Sequence, residues 1–259
     1  MRRLVVLLLV ASALAPASAG AGAGAARPAL ALTATPAHLA LAGADRATVR
    51  IANPGARAVV VDVARAGFSL DLRGRPHVAR RHDVRAAASW LAVRPARFVL
   101  PPGASRLLTV ASRLPPRTEP GDHDALVLLA TRPVPGAGVA VRMRIGIVVV
   151  VRAPGRVVRR VAVRRLRVRR LRRARVLELV LANRGNVTES LARGAIRVTL
   201  GPGRTGVALL GARRELRPHS SGLVRFRLDE RLRRVASARV TIPAAPGRPA
   251  VIHTFRLRL

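Results

Sequence analysis

The stretch from Trp90 to Val151 decides the fold: it opens WLAVRPARFVLPPGASRLLTVASRLP (90–115) and closes VAVRMRIGIVVVV (139–151). In the opening part, a Pro-Pro-Gly turn at 101–103 separates two short runs in which apolar residues alternate with Arg, Ser or Thr. Proline and glycine between two alternating runs predict a strand, a corner and a second strand.

Further strands are predicted on both sides of this corner. Downstream they are Arg106 to Ser112, His123 to Thr131 after the loop PPRTEPGD, and another after the PGAG turn at Pro135 to Gly138. Upstream they are Ala29 to Thr35, Ala47 to Asn53 and Ala58 to Arg65, the last two joined by an Asn-Pro-Gly corner. Short strands with a turn signal about every ten residues predict an immunoglobulin-type β-sandwich.

The N-terminus has the pattern of a secretory signal peptide. Residues 1–19 combine Arg2 and Arg3 with an apolar run from Leu4 to Val10 and an Ala-Ser-Ala ending, and we expect cleavage after Ala19. The apolar run is too short to span a bilayer. The GAGAGAAR segment at 20–27 is predicted to be a disordered leader. We expect a secreted or cell-envelope protein with no integral membrane segment in the mature chain.

The chain contains no cysteine, so an exported protein of this length has to be stabilised by its cores rather than by disulfides. The predicted fold class is all-β, with two immunoglobulin-like β-sandwich domains in tandem. We place the first domain at 28–153 and the second at 157–259, with a linker near Pro154 and Gly155.

Two short motifs recur in the same order in both halves. IANPGA at Ile51 to Ala56 parallels LANRGN at Leu181 to Asn186, and LPPGAS at Leu100 to Ser105 parallels LRPHSS at Leu216 to Ser221. From asparagine to leucine the spacing is 47 residues in the first half and 33 in the second, and we assign the difference to the loop Gly67 to Ser89. The repeat predicts two copies of one sandwich topology.

The net charge of +36 comes from arginine alone, because the sequence has no lysine. Aromatic residues make up 2% of the chain, and single-strand binders need aromatic side chains on which bases stack. No recognition helix or zinc finger is present either, so we expect no nucleic-acid partner. The remaining partners for such a surface are anionic wall polymers, acidic glycans or lipid headgroups. The alternative is a solvated surface that reflects a GC-rich coding bias.

The densest charge follows the linker, with twelve arginines between Arg152 and Arg175. We predict a strand at Val161 to Val168, a basic turn at Arg169 to Ala174 and a strand at Arg175 to Asn183, with an amphipathic basic helix as the alternative. The predicted polyanion-binding residues are Arg159, Arg164, Arg167, Arg169, Arg170, Arg172 and Arg173.

The loop Gly67 to Ser89 carries four side chains of metal-ligand type, Asp71, His77, His82 and Asp83. Tight zinc sites draw on rigid elements with supporting hydrogen bonds, and the sequence shows no such support here. We therefore predict an exposed loop, no metal and no cofactor.

Four other residues have side chains that could act on a ligand. Trp90, the single tryptophan, is predicted to open a strand and pack in the core, with a ligand platform as the alternative. Ser105, Asp122 and His123 are of the types that hydrolases use, but no nucleophile elbow surrounds the serine. They are predicted to be turn residues, and the protein is predicted not to be an enzyme.

The first domain resembles the peptidoglycan-binding domain of WxL-interacting cell-surface proteins. The resemblance is carried by Trp90 with the following VRP, by LPPGAS, by PGDHDAL and by RIGIVVVVR. That family looks like an immunoglobulin-type sandwich and is distantly similar to the periplasmic pilus chaperones. WxL-interacting proteins typically carry a C-terminal transmembrane helix, which is not found before Leu259. Pilus chaperones hold a partner's C-terminal carboxylate with a buried basic pair, which cannot be picked out among 48 arginines.

Two functions are therefore expected. The first is a non-enzymatic cell-envelope protein that binds anionic wall polymer, peptidoglycan or another surface protein. The alternative is a periplasmic assembly chaperone that lends its apolar strand, Val139 to Val151, to a partner by β-augmentation.

Overall fold

The computed structural model describes residues 28, 30–78, 87–132, 142–171, 174–191, 196–201, 207–210, 215–228, 237–242 and 250–256. Within these ranges the regular structure consists of β-strands and one 3₁₀ turn, Ala87–Trp90. The prediction of an all-β protein built from β-sandwiches is confirmed. The predicted signal peptide and leader lie outside the described residues.

Eleven described strands belong to the first half of the chain. They are β1 (Thr33–Thr35), β2 (His38–Ala42), β3 (Arg46–Ala52), β4 (Val59–Ala66), β5 (Phe68–Leu70), β6 (Pro76–Val78), β7 (Leu91–Arg94), β8 (Arg97–Leu100), β9 (Ser105–Ser112), β10 (Gly121–Thr131) and β11 (Arg144–Ala153). One sheet has the order β1-β3-β9-β7 and the other the order β2-β11-β10-β4-β8, while β5 and β6 form a separate hairpin.

The first core lies between these two sheets. Val49 and Ile51 of β3 point inward from one sheet, and Val127 and Leu129 of β10 from the other, all with no solvent exposure. The N-terminal segment belongs to both sheets, because β1 pairs antiparallel with β3 whereas β2 pairs parallel with β11. This crossing places β2 along one edge of β11.

Nine described strands belong to the second half. They are β12 (Val161–Leu171), β13 (Ala174–Asn183), β14 (Glu189–Ser190), β15 (Arg197–Leu200), β16 (Val207–Leu210), β17 (Glu215–Leu216), β18 (Ser221–Leu228), β19 (Ser237–Ile242) and β20 (Val251–Arg256). They form the sheets β12-β13-β18 and β16-β15-β19-β20 and the short pair β14-β17. A second core, with Leu177, Leu179 and Val240 fully buried, lies between them.

The residues of the two cores do not overlap along the chain. The buried residues of the first core lie between Leu32 and Val151, and those of the second between Leu177 and Ile242. Each sandwich thus has its own interior, as a tandem arrangement requires. The domain limits 28–153 and 157–259 stay predictions.

The arginine-rich segment forms two antiparallel strands in the predicted order, but the bounds of the predicted turn at Arg169 to Ala174 are wrong, and Arg172 and Arg173 lie outside the described residues. β12 continues to Leu171 and β13 begins at Ala174. A β-bulge inserts Arg164 between Val163 and Arg165, where the register with β13 shifts. The bulge moves the apolar positions from Val163 to Leu166, so the sequence alternation is broken although the strand is continuous. The helical alternative is also excluded for this segment.

Three other details differ from the sequence prediction. The predicted loop Gly67 to Ser89 contains the β5–β6 hairpin and ends in the 3₁₀ turn. Trp90 is the last residue of that turn and packs, partly buried, against the first core, whereas the strand begins at Leu91. β2 was not predicted at all, because HLALA lies between two proline- and glycine-containing segments.

The sequence repeat corresponds to one structural corner that occurs twice. The side-chain amide of Asn53 donates to the carbonyl oxygens of Leu100 and Arg57, at 3.0 and 2.8 Å. The amide of Asn183 donates in the same way to Leu216, at 3.0 Å, and to the residue four positions after itself, at 2.7 Å. Both asparagines also accept a hydrogen bond from the glycine two residues later.

No helix in the part of the chain that the structure describes has the length and apolar character needed to cross a membrane.

Candidate protein-binding edge of the first sandwich

β11 is covered unequally on its two sides. On one side it pairs with β10 along its whole length, from Arg144 to Ala153. On the other side β2 pairs only with Val148 to Arg152. The first four residues of β11, from Arg144 to Ile147, have no backbone partner on that side among the described residues. We call these four residues the open edge.

The hydrogen bonds of β2 show which groups point toward the open edge. The N–H of Val148 donates to the carbonyl of Ala37 at 3.0 Å, and the carbonyl of Arg152 accepts from Gly43 at 2.9 Å. In a strand, alternate residues direct their N–H and C=O to the same side. Arg144 and Gly146 therefore direct theirs away from β10, which is the arrangement that allows another strand to add.

The sheet next to the open edge carries apolar residues on both faces, together with the exposed Arg144 on the outer face. The inner face carries Val127 and Ile147, which are fully buried in the first core. On the outer face, where a sandwich usually presents polar residues, Leu126 lies opposite Val148 and Leu128 lies opposite Gly146. Leu126 is already buried, at 5% exposure, so the half-buried Leu128 and Val148 are the outer-face residues that could pack against the side chains of an added strand.

Gly146 has room for a small side chain. A Cβ built at this position would lie 3.6 Å from Leu126 Cδ2 and 3.8 Å from Leu128 Cδ2, which is ordinary van der Waals contact. Alanine is therefore compatible with the position, whereas proline would remove the N–H that points to the open edge.

The other end of β10 is tied to the second sandwich through Asp122. Its side chain is 1% exposed and accepts from Arg152 Nε at 2.6 Å and from the backbone N–H of Thr188 at 2.7 Å. Burial raises the pKa of Asp122, but the hydrogen bonds from Arg152 and Thr188 outweigh burial and hold that pKa below its usual range. The backbone N–H of Asp122 also donates to the carbonyl of Asn186 at 2.7 Å.

A second tie joins Asp124 to Arg217. Their side chains are 16% and 10% exposed and form an ion pair. Burial raises the pKa of Asp124, and the pairing with Arg217 only partly offsets it. The guanidinium of Arg217 also lies 5.3 Å from the ring centroid of Phe68. The hairpin that follows Phe68 makes a further contact, because the carbonyl of Leu72 accepts from Leu223 at 2.7 Å.

A cleft of about 660 Å³ lies where these ties meet. Phe68, Trp90, His123 and His219 are among the residues that line it. The rings of Trp90 and His123 are 4.7 Å apart and tilted by 56°. Trp90 thus contacts both the first core and the cleft. The predicted packing of Trp90 against the core is confirmed, and its alternative as a ligand platform stays a prediction.

The structure distributes the predicted polyanion-binding arginines over several environments. Arg159 is ion-paired with Glu189 at 3.0 Å, and Arg167 with Glu178 at 2.9 Å, while Arg169 is 3.9 Å from Glu178. Arg164, the bulge residue, and Arg170 are exposed. Arg172 and Arg173 lie outside the described residues.

The described metal-type residues, Asp71 and His77, lie near each other but form no metal site, and Ser105 lies in another sheet than Asp122 and His123. Asp71 accepts backbone hydrogen bonds from Arg73 and Arg75 and lies 3.9 Å from His77, while His82 and Asp83 are outside the described residues. In the described ranges no three His, Asp or Glu residues could hold a metal ion. Ser105 opens β9, and Asp122 and His123 belong to β10, so the prediction that these three are turn residues is wrong.

The contacts between the sandwiches were not predicted from the sequence. Asp124 and Arg217 are 93 residues apart, and no sequence motif identifies them as an ion pair. The apolar outer face, by contrast, has a visible signal. The runs ALVLLA (125–130) and IGIVVVV (145–151) are apolar at successive positions, which indicates strands that are covered on both faces rather than one.

No family model and no curated protein sequence match this chain. Solved structures of similar shape include the class 5 fimbriae chaperone CfaA, with 12% identity, a TM-score of 0.49, and coverage of 88% of this chain and 100% of that one. The CupB2 chaperone of Pseudomonas aeruginosa is 13% identical with a TM-score of 0.45, covering 87% and 100% of the two chains. A structure of Salmonella enterica SafA pilin in complex with the SafB chaperone is 14% identical with a TM-score of 0.46, and the match covers 88% of this chain and 96% of that one.

These neighbours are of the pilus-chaperone class to which the sequence has a distant resemblance. The resemblance to the peptidoglycan-binding domain of WxL-interacting proteins finds no support among them.

Proposed function

We propose that this protein is an exported, non-enzymatic assembly chaperone that binds an extended segment of another exported protein as an added strand along the open edge of β11. The observation that carries the proposal is the incomplete cover of β11, where β2 pairs with Val148 to Arg152 and leaves the N–H groups of Arg144 and Gly146 without a described partner. The proposal replaces binding of wall polymer as the main function.

Strand addition suits this edge for two reasons. Backbone hydrogen bonds from Arg144 and Gly146 supply affinity that does not depend on the partner's sequence. The half-buried apolar residues Leu128 and Val148 on the outer face then favour partner segments in which alternate residues are apolar. The segment of the predicted donor strand from Val139 to Val141 lies outside the described residues, so the proposal rests on β11 from Arg144 onward.

The ties between the sandwiches support the same role. Asp122 and Asp124 are fixed by Thr188 and Arg217 at the end of β10 that pairs with Val150 to Arg152, so the second sandwich holds the sheet at the end away from the open edge. A partner bound at that edge would meet a preformed surface, which lowers the entropic cost of binding.

The proposal is tested by affinity capture from an envelope extract of the source organism with three baits: the mature protein, Gly146→Ala and Gly146→Pro. Alanine keeps the N–H and fits the space beside Leu126 and Leu128, so it is the matched control. We expect the parent and the alanine bait to retain the same exported protein and the proline bait to lose it. Equal retention by the proline bait, with an unchanged melting temperature, would contradict the proposal.

A further inference from the structure

The outer face of the sheet β12-β13-β18 presents arginines in two columns. Across the three strands, one row is Arg169, Val176 and Arg227, and the next is Arg167, Glu178 and Arg225. A third row places Arg165 opposite Val180 and Leu223. We call the five arginines of these rows the arginine face.

Glu178 orders the centre of this face. Its side chain is 1% exposed and accepts hydrogen bonds from Arg167 Nε at 3.0 Å and from Arg225 Nη2 at 2.9 Å. Burial raises the pKa of Glu178, but the hydrogen bonds from Arg225 and Arg167 outweigh burial and hold that pKa below its ordinary value. The single carboxylate is thus ionised and fixes one arginine of each column.

Among the described residues, the remaining charge of the face has no further acidic side chain to balance it. Arg165 and Arg227 are exposed and have no acidic partner among the described residues, and Arg169 is 3.9 Å from a carboxylate that two other arginines already occupy. Five arginines against one glutamate leave a surplus of four positive charges on one face of a three-stranded sheet. Such a concentrated field attracts anions over a Debye length.

We propose that the arginine face binds the phosphate headgroups of an anionic phospholipid membrane. This goes beyond the proposed chaperone function, because it uses another sheet in the other sandwich. Guanidinium groups bind phosphate oxygens in a bidentate manner, and clustered basic residues are drawn to anionic leaflets.

The shape of the face favours a membrane over a soluble polymer. The two columns flank β13 and are roughly 10 Å apart, twice the spacing of adjacent strands. Between them lie Val176 and Val180 of the central strand, next to Glu178, so apolar side chains separate the two columns and they do not form one continuous positive track for a single phosphate chain. A planar layer of headgroups can engage both columns at once.

The test is co-sedimentation of the mature protein with vesicles of phosphatidylcholine alone and of equal parts phosphatidylcholine and phosphatidylglycerol. The variant Arg165→Gln/Arg169→Gln/Arg227→Gln removes three charges from the arginine face and leaves the two hydrogen-bond partners of Glu178, Arg167 and Arg225, in place. The matched control, Arg197→Gln/Arg239→Gln/Arg256→Gln, removes three exposed charges from the opposite sheet of the same sandwich.

We expect the parent to bind only the vesicles with phosphatidylglycerol and to dissociate at about 0.5 M salt, where the Debye length is roughly 4 Å. The face variant should bind roughly a hundredfold more weakly, since each arginine near an anionic surface contributes about fivefold, and the control variant should lose only a few-fold. An equal loss in both variants would overturn the assignment to this face.

Two further measurements complete the test. Phenylglyoxal labelling of the unmutated protein should show Arg165, Arg169 and Arg227 protected by the anionic vesicles, which decides the question even if the face variant does not fold. Unprotected arginines there would contradict the proposal. Binding to soluble polyphosphate without binding to vesicles, lost in the face variant, would overturn the membrane assignment in favour of a polymer.

Discussion

The side-chain amide of Asn53 donates a hydrogen bond to the carbonyl oxygen of Leu100 at 3.0 Å, across 47 residues of the chain. The same bond recurs between Asn183 and Leu216, across 33 residues and at the same distance. Asn53 directly follows the inner strand β3 and Asn183 ends the inner strand β13, and each fixes the residue just before the turn that leads into the neighbouring strand. Two corners with one set of hydrogen bonds explain why the two halves share a short motif at different spacings.

The first prediction concerns this corner. Asn53→Asp keeps the acceptor for Gly55 but replaces the amide donor with a carboxylate oxygen that faces the carbonyls of Arg57, Leu100 and Pro101. The free energy of unfolding should fall by about 3 kcal/mol, because buried acceptors lose their donor and a charge is buried. Urea denaturation measures it, with the exposed Thr33→Val as a control that should change stability by less than about 0.5 kcal/mol. Equal stabilities of the two variants would contradict the account of the corner.

The second prediction uses the turn after each corner. Gly103 has φ of 72° and the corresponding His219 has φ of 54°, in the left-handed region that disfavours side chains. A Cβ at Gly103 would meet no atom within 4 Å, so Gly103→Ala causes no steric clash. Its free energy of unfolding should fall by about 1 kcal/mol, because alanine is strained in the left-handed backbone conformation. His219→Gly should stabilise by roughly 0.5 kcal/mol. Thermal melts of both variants provide the check, and a stabilised Gly103→Ala would be inconsistent with this geometry.

The third prediction concerns Glu178 and pH. Because the pKa of Glu178 is held below its ordinary value of 4.5 in the folded protein, the folded state binds fewer protons there than the unfolded state. Its contribution to stability is therefore present above about pH 4.5 and lost as the pH falls through the lowered pKa. The melting-temperature difference between the parent and Glu178→Gln should shrink from about pH 6 to pH 3. A difference that stays constant would mean that Glu178 does not titrate as described.

The fourth prediction concerns the tie between the two sandwiches. Arg217→Gln leaves Asp124 buried without its cation and should destabilise by about 3 kcal/mol, whereas the double variant Asp124→Asn/Arg217→Gln should recover part of that loss. Calorimetry should show one transition for the parent and a separate, earlier transition of one sandwich for Arg217→Gln. Additive effects in the double variant would argue against direct pairing.

Much of the fold could be predicted because it depends on local patterns. The Pro-Pro-Gly turn, the Asn-Pro-Gly corner, the alternation in β9 and the apolar run in β10 each predict their structure within a few residues. β12 was more difficult, because the bulge at Arg164 changes which residues face inward, and only the register with β13 reveals it. Bulges depend on the partner strand, which a single sequence does not show.

The candidate site could be predicted only in part. The apolar run that ends at Val151 indicated a strand able to pair with a partner. The sequence does not show that β2 pairs with Val148 and leaves Gly146 unpaired on that side, because this depends on where the N-terminal segment crosses between the sheets. The arginine face was also only partly predicted. Arg167 and Arg169 were among the predicted residues, whereas Arg225 and Arg227 come from a distant strand with no dense charge of its own.

The most direct test of the central claim is hydrogen–deuterium exchange of backbone amides, resolved to single residues, in the free protein and in its purified complex with the captured partner. If a partner strand adds at the open edge, the amides of Arg144 and Gly146 should exchange rapidly in the free protein and be strongly protected in the complex. The amides of Ile145 and Ile147 face β10 and should be protected in both states. Amides of Arg144 and Gly146 that exchange equally fast in the complex would show that the partner binds elsewhere and would contradict strand addition at β11.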